Sequence, residues 1–253
     1  MTARLDIEYD GGDFYGWGVQ PGLRTVQGEL ERALGVIGRR RVVLTVAGRT
    51  DRGVHATGQV ASHPGDPIPA YQVNAILPPD VRVLSSTATA DGFDARRHAL
   101  ARAYEYRILT RRAASALGHR HQLHLSRPLD EDALAACADV LAGTHDFTAF
   151  TPTETDHVRF RRDIHRAAWT RDGDLLQFAV EGDAFMRNMV RALVGTMLDV
   201  GRGKRSVESF ATLLEGAPRS AAGMTAPPHG LTLVGVRYPE PPRPGSGGAS
   251  TVG

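Results

Sequence analysis

The sequence predicts an α+β fold built from two successive halves that each combine strands with helices. Leu5, Ile7 and Tyr9 alternate with polar residues, which is the two-residue period of a strand with one buried face. Residues 184–200 instead carry apolar side chains at helical spacing. Both kinds of segment recur on either side of residues 109–120, so the sheets of the two halves either pair edge to edge or form separate lobes.

The same two periods predict the other elements. Further strands are expected at residues 42–46, 58–63, 81–86, 101–109, 162–170, 175–180 and 231–238. Further helices are expected at residues 26–37, 74–77 and 131–142, with Thr25 as the N-cap of the first and Ser206 as the cap of a short later one. Asp172 and Gly173 indicate a hairpin between two of the strands.

These elements divide the chain into three parts. Residues 1–108 form the predicted N-terminal half and residues 109–238 the C-terminal half, and a cleft between halves is a natural position for a site. Residues 239–253 are rich in Pro, Gly and Ser without periodicity, which predicts a disordered tail.

Composition excludes several classes of protein. With 42% hydrophobic and 23% charged residues, the chain is expected to fold as a globular protein. No uncharged apolar stretch has membrane-spanning length, and no leader precedes the first strand, so we expect a cytoplasmic protein with no membrane partner. Cys137 is the single cysteine, which excludes an internal disulfide.

Arginine dominates the basic residues. Lys204 is the single lysine among 30 basic residues, although the formal net charge is only +2. Guanidinium groups bind phosphates bidentately and stack on bases, so this bias fits a nucleic-acid partner. GC-rich codon usage would explain it equally well.

The densest polar motif is residues 47–59, which lie between two apolar strands. Loops carried by rigid strands are where functional side chains concentrate. Asp51 in this motif fits a nucleophile, a general base or a carboxylate that hydrogen-bonds its own turn, and spacing alone favours the turn.

The segment Gly-Arg-Thr-Asp-Arg-Gly-Val-His-Ala at residues 48–56 resembles the nucleophile loop of the tRNA pseudouridine synthase A family. Other segments resemble the family in the same order: residues 9–11, 15–17, 74–78, 93–96, 102–106, 143–147, 185–191 and 226–231. The resemblance therefore covers residues 4–238. Gly18 departs from it, because the family usually has Gln directly after the Tyr-Gly-Trp segment, and here Gln20 follows two positions later.

The resemblance implies an isomerase with the pseudouridine synthase fold, in which the mainly antiparallel sheets of the two halves join into one extended sheet. The expected reaction converts uridine to pseudouridine in the anticodon stem-loop of tRNA, at positions 38–40, without a metal or other cofactor. It also implies a homodimer with tRNA bound across both subunits. Asp51 takes the role of nucleophile, and attack on the sugar, attack on the uracil ring and removal of a sugar proton all remain open.

Two further residues receive catalytic roles from the resemblance. Arg191 matches the arginine that pairs with the aspartate, although by itself it would be interpreted as a solvated helix arginine. Tyr104 matches the tyrosine that stacks on the target base, although a strand tyrosine is usually a core residue. The family tyrosine is also a candidate for removing the ring proton, but an ordinary pKa of about 10 would have to fall for that near neutral pH. We therefore expect stacking and leave proton transfer open.

Four residues receive binding or supporting roles. Arg49 resembles the arginine that holds the target nucleotide out of the base stack, and it would otherwise brace the loop through an ion pair. Arg187 is a candidate phosphate contact one helical turn before Arg191. His55 and Gln59 are expected to organise the loop.

Other functional classes have little support. The histidines show no metal-ligand spacing, and no phosphate-binding glycine motif or nucleophile elbow is present. The remaining alternative is a non-catalytic tRNA-binding or folding protein that uses the same basic cleft.

Overall fold

A computed structural model describes residues 1–155 and 158–239. The prediction of a disordered tail at residues 239–253 lies outside these residues, apart from Pro239. Among the helices described, none combines the length and the apolar character needed to cross a membrane.

The described residues contain one extended, mostly antiparallel sheet with strand order β4-β1-β3-β10-β5-β9-β8-β7, while β2 pairs with β3 and β6 with β5. The strands are β1 (Thr2–Tyr9), β2 (Thr45–Val46), β3 (His55–Pro64), β4 (Val81–Thr89), β5 (Ala101–Leu109), β6 (Leu123–His124), β7 (Gly143–Asp146), β8 (Arg161–Asp172), β9 (Leu175–Gly182) and β10 (Leu231–Arg237). The predicted α+β fold class is confirmed. The division into halves at residue 108 stays a prediction.

Five α-helices accompany this sheet in the described part of the chain. They are α1 (Val26–Gly38), α2 (Ala70–Ile76), α3 (Glu131–Asp139), α4 (Met189–Gly201) and α5 (Val207–Ala211). Thr25 and Ser206 cap α1 and α5 through their side chains, as predicted. In β9, buried residues alternate strictly with half-buried ones, so one face of the strand lies against the core.

The structure corrects three of the predicted bounds. The strand predicted at residues 42–46 is limited to β2, and the helix predicted at residues 131–142 ends at Asp139. The helix predicted to begin at Ala184 begins at Met189, because Asn188 has left-handed backbone angles that cannot continue a helix. Arg187 is therefore not one helical turn before Arg191.

The last strand, β10, lies in the centre of the sheet. It pairs parallel to β3 through Thr232 and His55, and antiparallel to β5 through Leu233 and Tyr104. The pairing with β5 shifts register between Leu233 and Gly235. This arrangement places the starts of β3 and β10 beside the middle of β5, where the loop before β3 approaches the side chain of Tyr104.

Gly58 permits the close approach of β3 to β10. A Cβ at Gly58 would lie 2.3 Å from the carbonyl oxygen of Val234, which is far inside van der Waals contact. A Cβ at Gly235 would meet nothing within 4 Å. The two glycines lie on neighbouring strands and differ in the space around them.

We predict that Gly58→Ala lowers the free energy of unfolding by about 1–3 kcal/mol, because the added methyl forces the two central strands apart. Gly235→Ala is the matched control, expected to change it by less than about 0.5 kcal/mol. Urea denaturation of both variants measures the difference. Equal midpoints for the two variants would contradict the proposed strand contact.

Candidate active site

A cleft of about 1520 Å³ opens between the loop that precedes β3 and the segment that precedes α4. We call residues 47–54 the Asp51 loop. Five of the predicted site residues line the cleft: Arg49, Asp51, Tyr104, Arg187 and Arg191. His55 and Gln59 lie behind it, buried under the loop.

Asp51 and Arg191 face each other across the cleft. The distance from Arg191 Nη1 to Asp51 Oδ2 is 3.6 Å, and their side chains are 15% and 24% exposed, respectively. Arg191 also donates from Nε to the Ala226 carbonyl oxygen at 2.8 Å and from Nη1 to Asn188 Oδ1 at 2.9 Å. These bonds fix the guanidinium on the side of the cleft opposite the Asp51 loop.

The environment of Asp51 combines burial with positive charge. Burial raises the pKa of the Asp51 carboxyl above its ordinary value, because a charged carboxylate loses hydration there. The charges of Arg191 and Arg187 and a hydrogen bond from the backbone N–H of Asn188 oppose this rise. Arg191 thus lowers the Asp51 pKa, as expected from the sequence, but burial raises it by more.

Tyr104 forms a buried aromatic wall of the cleft. It is 7% exposed, and its ring meets Phe185 edge to face with 5.2 Å between centroids. Burial raises the pKa of Tyr104, and the nearby Tyr9 and Asp51 raise it further. The phenol therefore stays protonated near neutral pH, which favours ring stacking over proton transfer for this side chain.

Gln59 supports the Asp51 loop from below. Its Nε2 donates to the Gly48 carbonyl oxygen at 2.8 Å and to the Tyr9 hydroxyl at 3.2 Å. The Tyr9 hydroxyl lies 2.8 Å from Thr50 Oγ1, so the residue before Asp51 is tied to β1. Buried polar groups linked in this way hold a loop in one conformation.

His55 anchors the other end of the loop. The backbone N–H of Gly11 donates to His55 Nδ1 at 3.0 Å, and Asp10 Oδ1 lies 3.1 Å from the same nitrogen. Burial lowers the pKa of His55, although Asp10 opposes that shift. The side chain is therefore placed to organise the loop rather than to reach the cleft.

Asp10, His55 and His121 bring potential metal ligands within 4.8 Å of one another. Sequence spacing could not reveal this group, because its members come from three separate segments. The Gly11 N–H already occupies His55 Nδ1, and Arg120 Nε lies 3.6 Å from Asp10 Oδ2. A metal would have to displace that amide beside a guanidinium, so we assign the group a bracing role.

Arg49 and Arg187 lie at the mouth of the cleft. Arg49 is exposed, and among the described residues no ion pair engages it, so its two predicted roles both stay predictions. Arg187 is also exposed and donates from Nη2 to the Glu154 carbonyl oxygen at 3.1 Å. Gly18 lines the same cleft with open space around it.

Sequence reasoning missed Arg102, which is only 9% exposed. Its guanidinium donates to the backbone carbonyl oxygens of Ala47, Arg96, Ala99 and Asp183. Arg102 thereby ties the start of the Asp51 loop to β5 and to the end of β9. A signal was available, because the two-residue period of β5 places Arg102 on the same face as Tyr104 and Tyr106.

Asn188 was missed as well, because the helix predicted from hydrophobic periodicity began at Ala184 and included Asn188. An Asn directly before an apolar helical run is an N-cap signal that could have marked the true start of α4. Its backbone is left-handed, with φ 62°, and its atoms contact both Asp51 and Arg191.

We predict that Asp51→Asn raises the melting temperature at neutral pH, because asparagine keeps the shape without the poorly hydrated charge. Each pH unit by which the Asp51 pKa in the folded state exceeds that in the unfolded state lowers the free energy of unfolding at neutral pH by about 1.4 kcal/mol. A carboxyl with a raised pKa destabilises the fold only above its unfolded pKa. The advantage of the variant should therefore vanish at more acidic pH, where Asp51 is protonated in both states.

Thermal unfolding at several pH values measures this difference. Asp172→Asn, at the exposed end of β8, is the matched control and should show no such advantage. A melting temperature of Asp51→Asn below that of the wild type at neutral pH would mean that Arg191 outweighs burial.

Comparison with known proteins places this geometry in a family. A family model described as tRNA pseudouridine synthase matches residues 137–239. The chain is 42% identical over 246 residues to tRNA pseudouridine synthase A of Bacillus subtilis, covering 94% of this chain and 99% of that protein. It is 45% identical over 249 residues to tRNA pseudouridine synthase A of Frankia casuarinae, covering 96% and 91%.

A chain in a solved structure titled "Crystal Structure of a Cbf5-Nop10-Gar1 Complex" aligns with 92% of this chain and 58% of that one. The identity is 10% and the TM-score is 0.36, too low to compare residues. The two relatives are far more similar and match over nearly their whole length. The chain belongs to the tRNA pseudouridine synthase A family.

Proposed function

We propose that this protein isomerises uridine to pseudouridine in tRNA, with Asp51 as the catalytic carboxylate. The observation that carries the proposal is the 3.6 Å approach of Arg191 to Asp51 at a cleft that also presents Tyr104, Arg49 and Arg187. The relatives are named tRNA pseudouridine synthase A, which supports both the reaction and the substrate.

The chemistry balances without a co-reactant. The bond between N1 of uracil and C1′ of ribose breaks, the base rotates, and C5 bonds to C1′. The C5 proton leaves and N1 takes up a proton, so the atoms balance. Uridine and pseudouridine are isomers, so no oxidant, reductant or group donor is required. Asp51 in its charged form would attack the sugar or the ring, or remove a sugar proton, and each of these routes needs the carboxylate ionised.

The surrounding side chains suit a base removed from its stack. Tyr104 would stack on the flipped uracil, and its high pKa is compatible with that role. Arg49, exposed at the mouth, would brace the vacated position. Arg187 would contact a phosphate beside the target nucleotide, and His55 and Gln59 would hold the Asp51 loop.

The proposal extends to the substrate and the assembly. The target uridines would lie in the anticodon arm at positions 38–40, and the enzyme would act as a homodimer in the cytoplasm. These parts rest on family membership. The alternative is a non-catalytic tRNA-binding or folding protein that uses the same cleft, and an assay of turnover distinguishes it from the enzyme.

We predict that Asp51→Asn abolishes tritium release from C5-labelled uridine in tRNA while leaving tRNA affinity nearly intact, because shape is preserved and charge is removed. The loss should exceed tenfold, equivalent to about 1.4 kcal/mol of barrier. Asp172→Asn is the control and should remain active. Pseudouridine mapping in the same tRNA tests the anticodon-arm positions.

Two outcomes of that assay would count against the proposal. Retained activity in Asp51→Asn would remove Asp51 from the catalytic role. Tight tRNA binding by a wild-type protein that releases no tritium from any tRNA would favour the non-catalytic alternative.

We predict that variants of Tyr104 and Arg187 differ in the salt dependence of tRNA binding. Arg187→Ala should weaken tRNA binding and reduce the slope of log affinity against log salt by about 0.7–0.9 for the lost phosphate contact. Tyr104→Ala should lower turnover with an unchanged slope, because it removes stacking worth about 1–3 kcal/mol and no charge. Tyr104→Phe keeps the ring and should restore turnover.

Binding titrations at several salt concentrations, run beside single-turnover assays, measure both effects. If Tyr104→Ala flattened the salt dependence while single turnover stayed normal, the tyrosine would not lie at the target base. Failure of Tyr104→Phe to restore turnover would instead assign a role to the hydroxyl.

A further inference from the structure

Asn188 has an unusual backbone for a residue with a side chain. Its angles, φ 62° and ψ −2°, lie in the left-handed region, which favours glycine. Asparagine tolerates this region better than most residues, but strained positions of this kind cluster at functional sites. Asn188 directly precedes α4 and lines the cleft beside Asp51.

The side chain of Asn188 does not form the capping hydrogen bond that is usual for an asparagine directly before a helix. An asparagine before a helix normally accepts a hydrogen bond from a backbone N–H in the first turn, with its own backbone extended. Here the side chain makes no capping bond. Its Oδ1 instead accepts from Arg191 Nη1 at 2.9 Å.

The backbone of Asn188 interacts with Asp51, the other partner of the ion pair. Its backbone N–H favours the charged form of Asp51 and so opposes the effect of burial on the pKa of that carboxyl. Its carbonyl oxygen accepts from the Ala192 N–H at 2.9 Å and so begins the helical pattern of α4. One residue therefore contacts the carboxylate, the guanidinium and the helix that carries the guanidinium.

We infer that Asn188 is a positioning residue for the reaction, whose left-handed backbone directs its N–H to Asp51 while its side chain fixes Arg191. The inference rests on the proposed function, in which Asp51 acts as a charged carboxylate. A glycine would keep the backbone bond and lose the side-chain bond. An alanine would lose the side-chain bond and disfavour the backbone conformation that directs the N–H.

Several charged and titratable groups besides Asn188 face Asp51 or Arg191. They are Arg187 before α4 and Arg191 within it, Tyr104 and Tyr106 of β5, Arg49 and Arg52 of the Asp51 loop, and His229 before β10. None of these residues is altered in the variants below, so a change in the Asp51 pKa reports on Asn188, through its N–H or through its hold on Arg191.

The experiment compares Asn188→Gly and Asn188→Ala with the wild type. Isotope-labelled aspartate allows the Asp51 carboxyl carbon to be titrated by NMR, and Asp51→Asn assigns its signal. In parallel, single-turnover rates measured over a range of pH give the acid limb of the pH–rate profile. Arg39→Ala is the matched control, because Arg39 is also left-handed, with φ 49°, and lies at the end of α1.

We expect Asn188→Ala to raise the Asp51 pKa by about one pH unit, as loss of a charge-assisted hydrogen bond would. Asn188→Gly should raise it by less. On the acid limb, a rise of about one unit lowers the rate about tenfold, because the ionised fraction falls by that factor. Arg39→Ala should leave both the pKa and the acid limb unchanged.

An Asp51 pKa that stays at the wild-type value in both Asn188 variants would overturn the inference. If Asn188→Ala failed to fold, Asn188→Gly would still decide it, because glycine relieves the backbone strain and still lacks Oδ1. The NMR titration needs no turnover. A shifted pKa in a protein inactive on every tRNA would therefore support the positioning role while contradicting the proposed function.

Discussion

In the proposed reaction, the Asp51 carboxylate carries a negative charge in a place where water reaches it poorly, and the groups around the cleft oppose its protonation. Burial raises the pKa of this carboxyl and so favours the protonated form. Arg191 supplies an opposite charge, and the N–H of Asn188 favours the charged carboxylate. Both come from the start of α4, so the position of that helix affects the ionisation of Asp51.

The sheet provides the rigid frame for this pair. The Asp51 loop leads into β3, Tyr104 lies on β5, and β10 lies between those two strands. Arg102 and Gln59 then tie the loop to the sheet from two sides. These buried polar bonds keep the loop in one conformation while its outer surface remains open to a large substrate.

The sequence was sufficient to predict the elements with a clear period and most of the cleft. Residues 101–109 match β5, because apolar and charged side chains alternate from Tyr104 to Ile108. The start of α4 was wrong, since hydrophobic periodicity carries no information about the backbone angles of Asn188. Arg102 was missed for a different reason: composition does not separate a buried arginine that binds carbonyl oxygens from an exposed one, although the strand period places Arg102 on the buried face of β5.

The central position of β10 has a consequence for how the chain acquires its site during synthesis. Strand β3 emerges from the ribosome early, but one of its neighbours in the finished sheet, β10, emerges only after residues 231–237 are made. Pairing across so large a sequence separation is slow, because a long loop must close first. The Ala226 carbonyl that holds Arg191 belongs to the same late segment. A nascent chain therefore contains Asp51 long before it can form the cleft, and the site is not complete until residues 231–237 have been made.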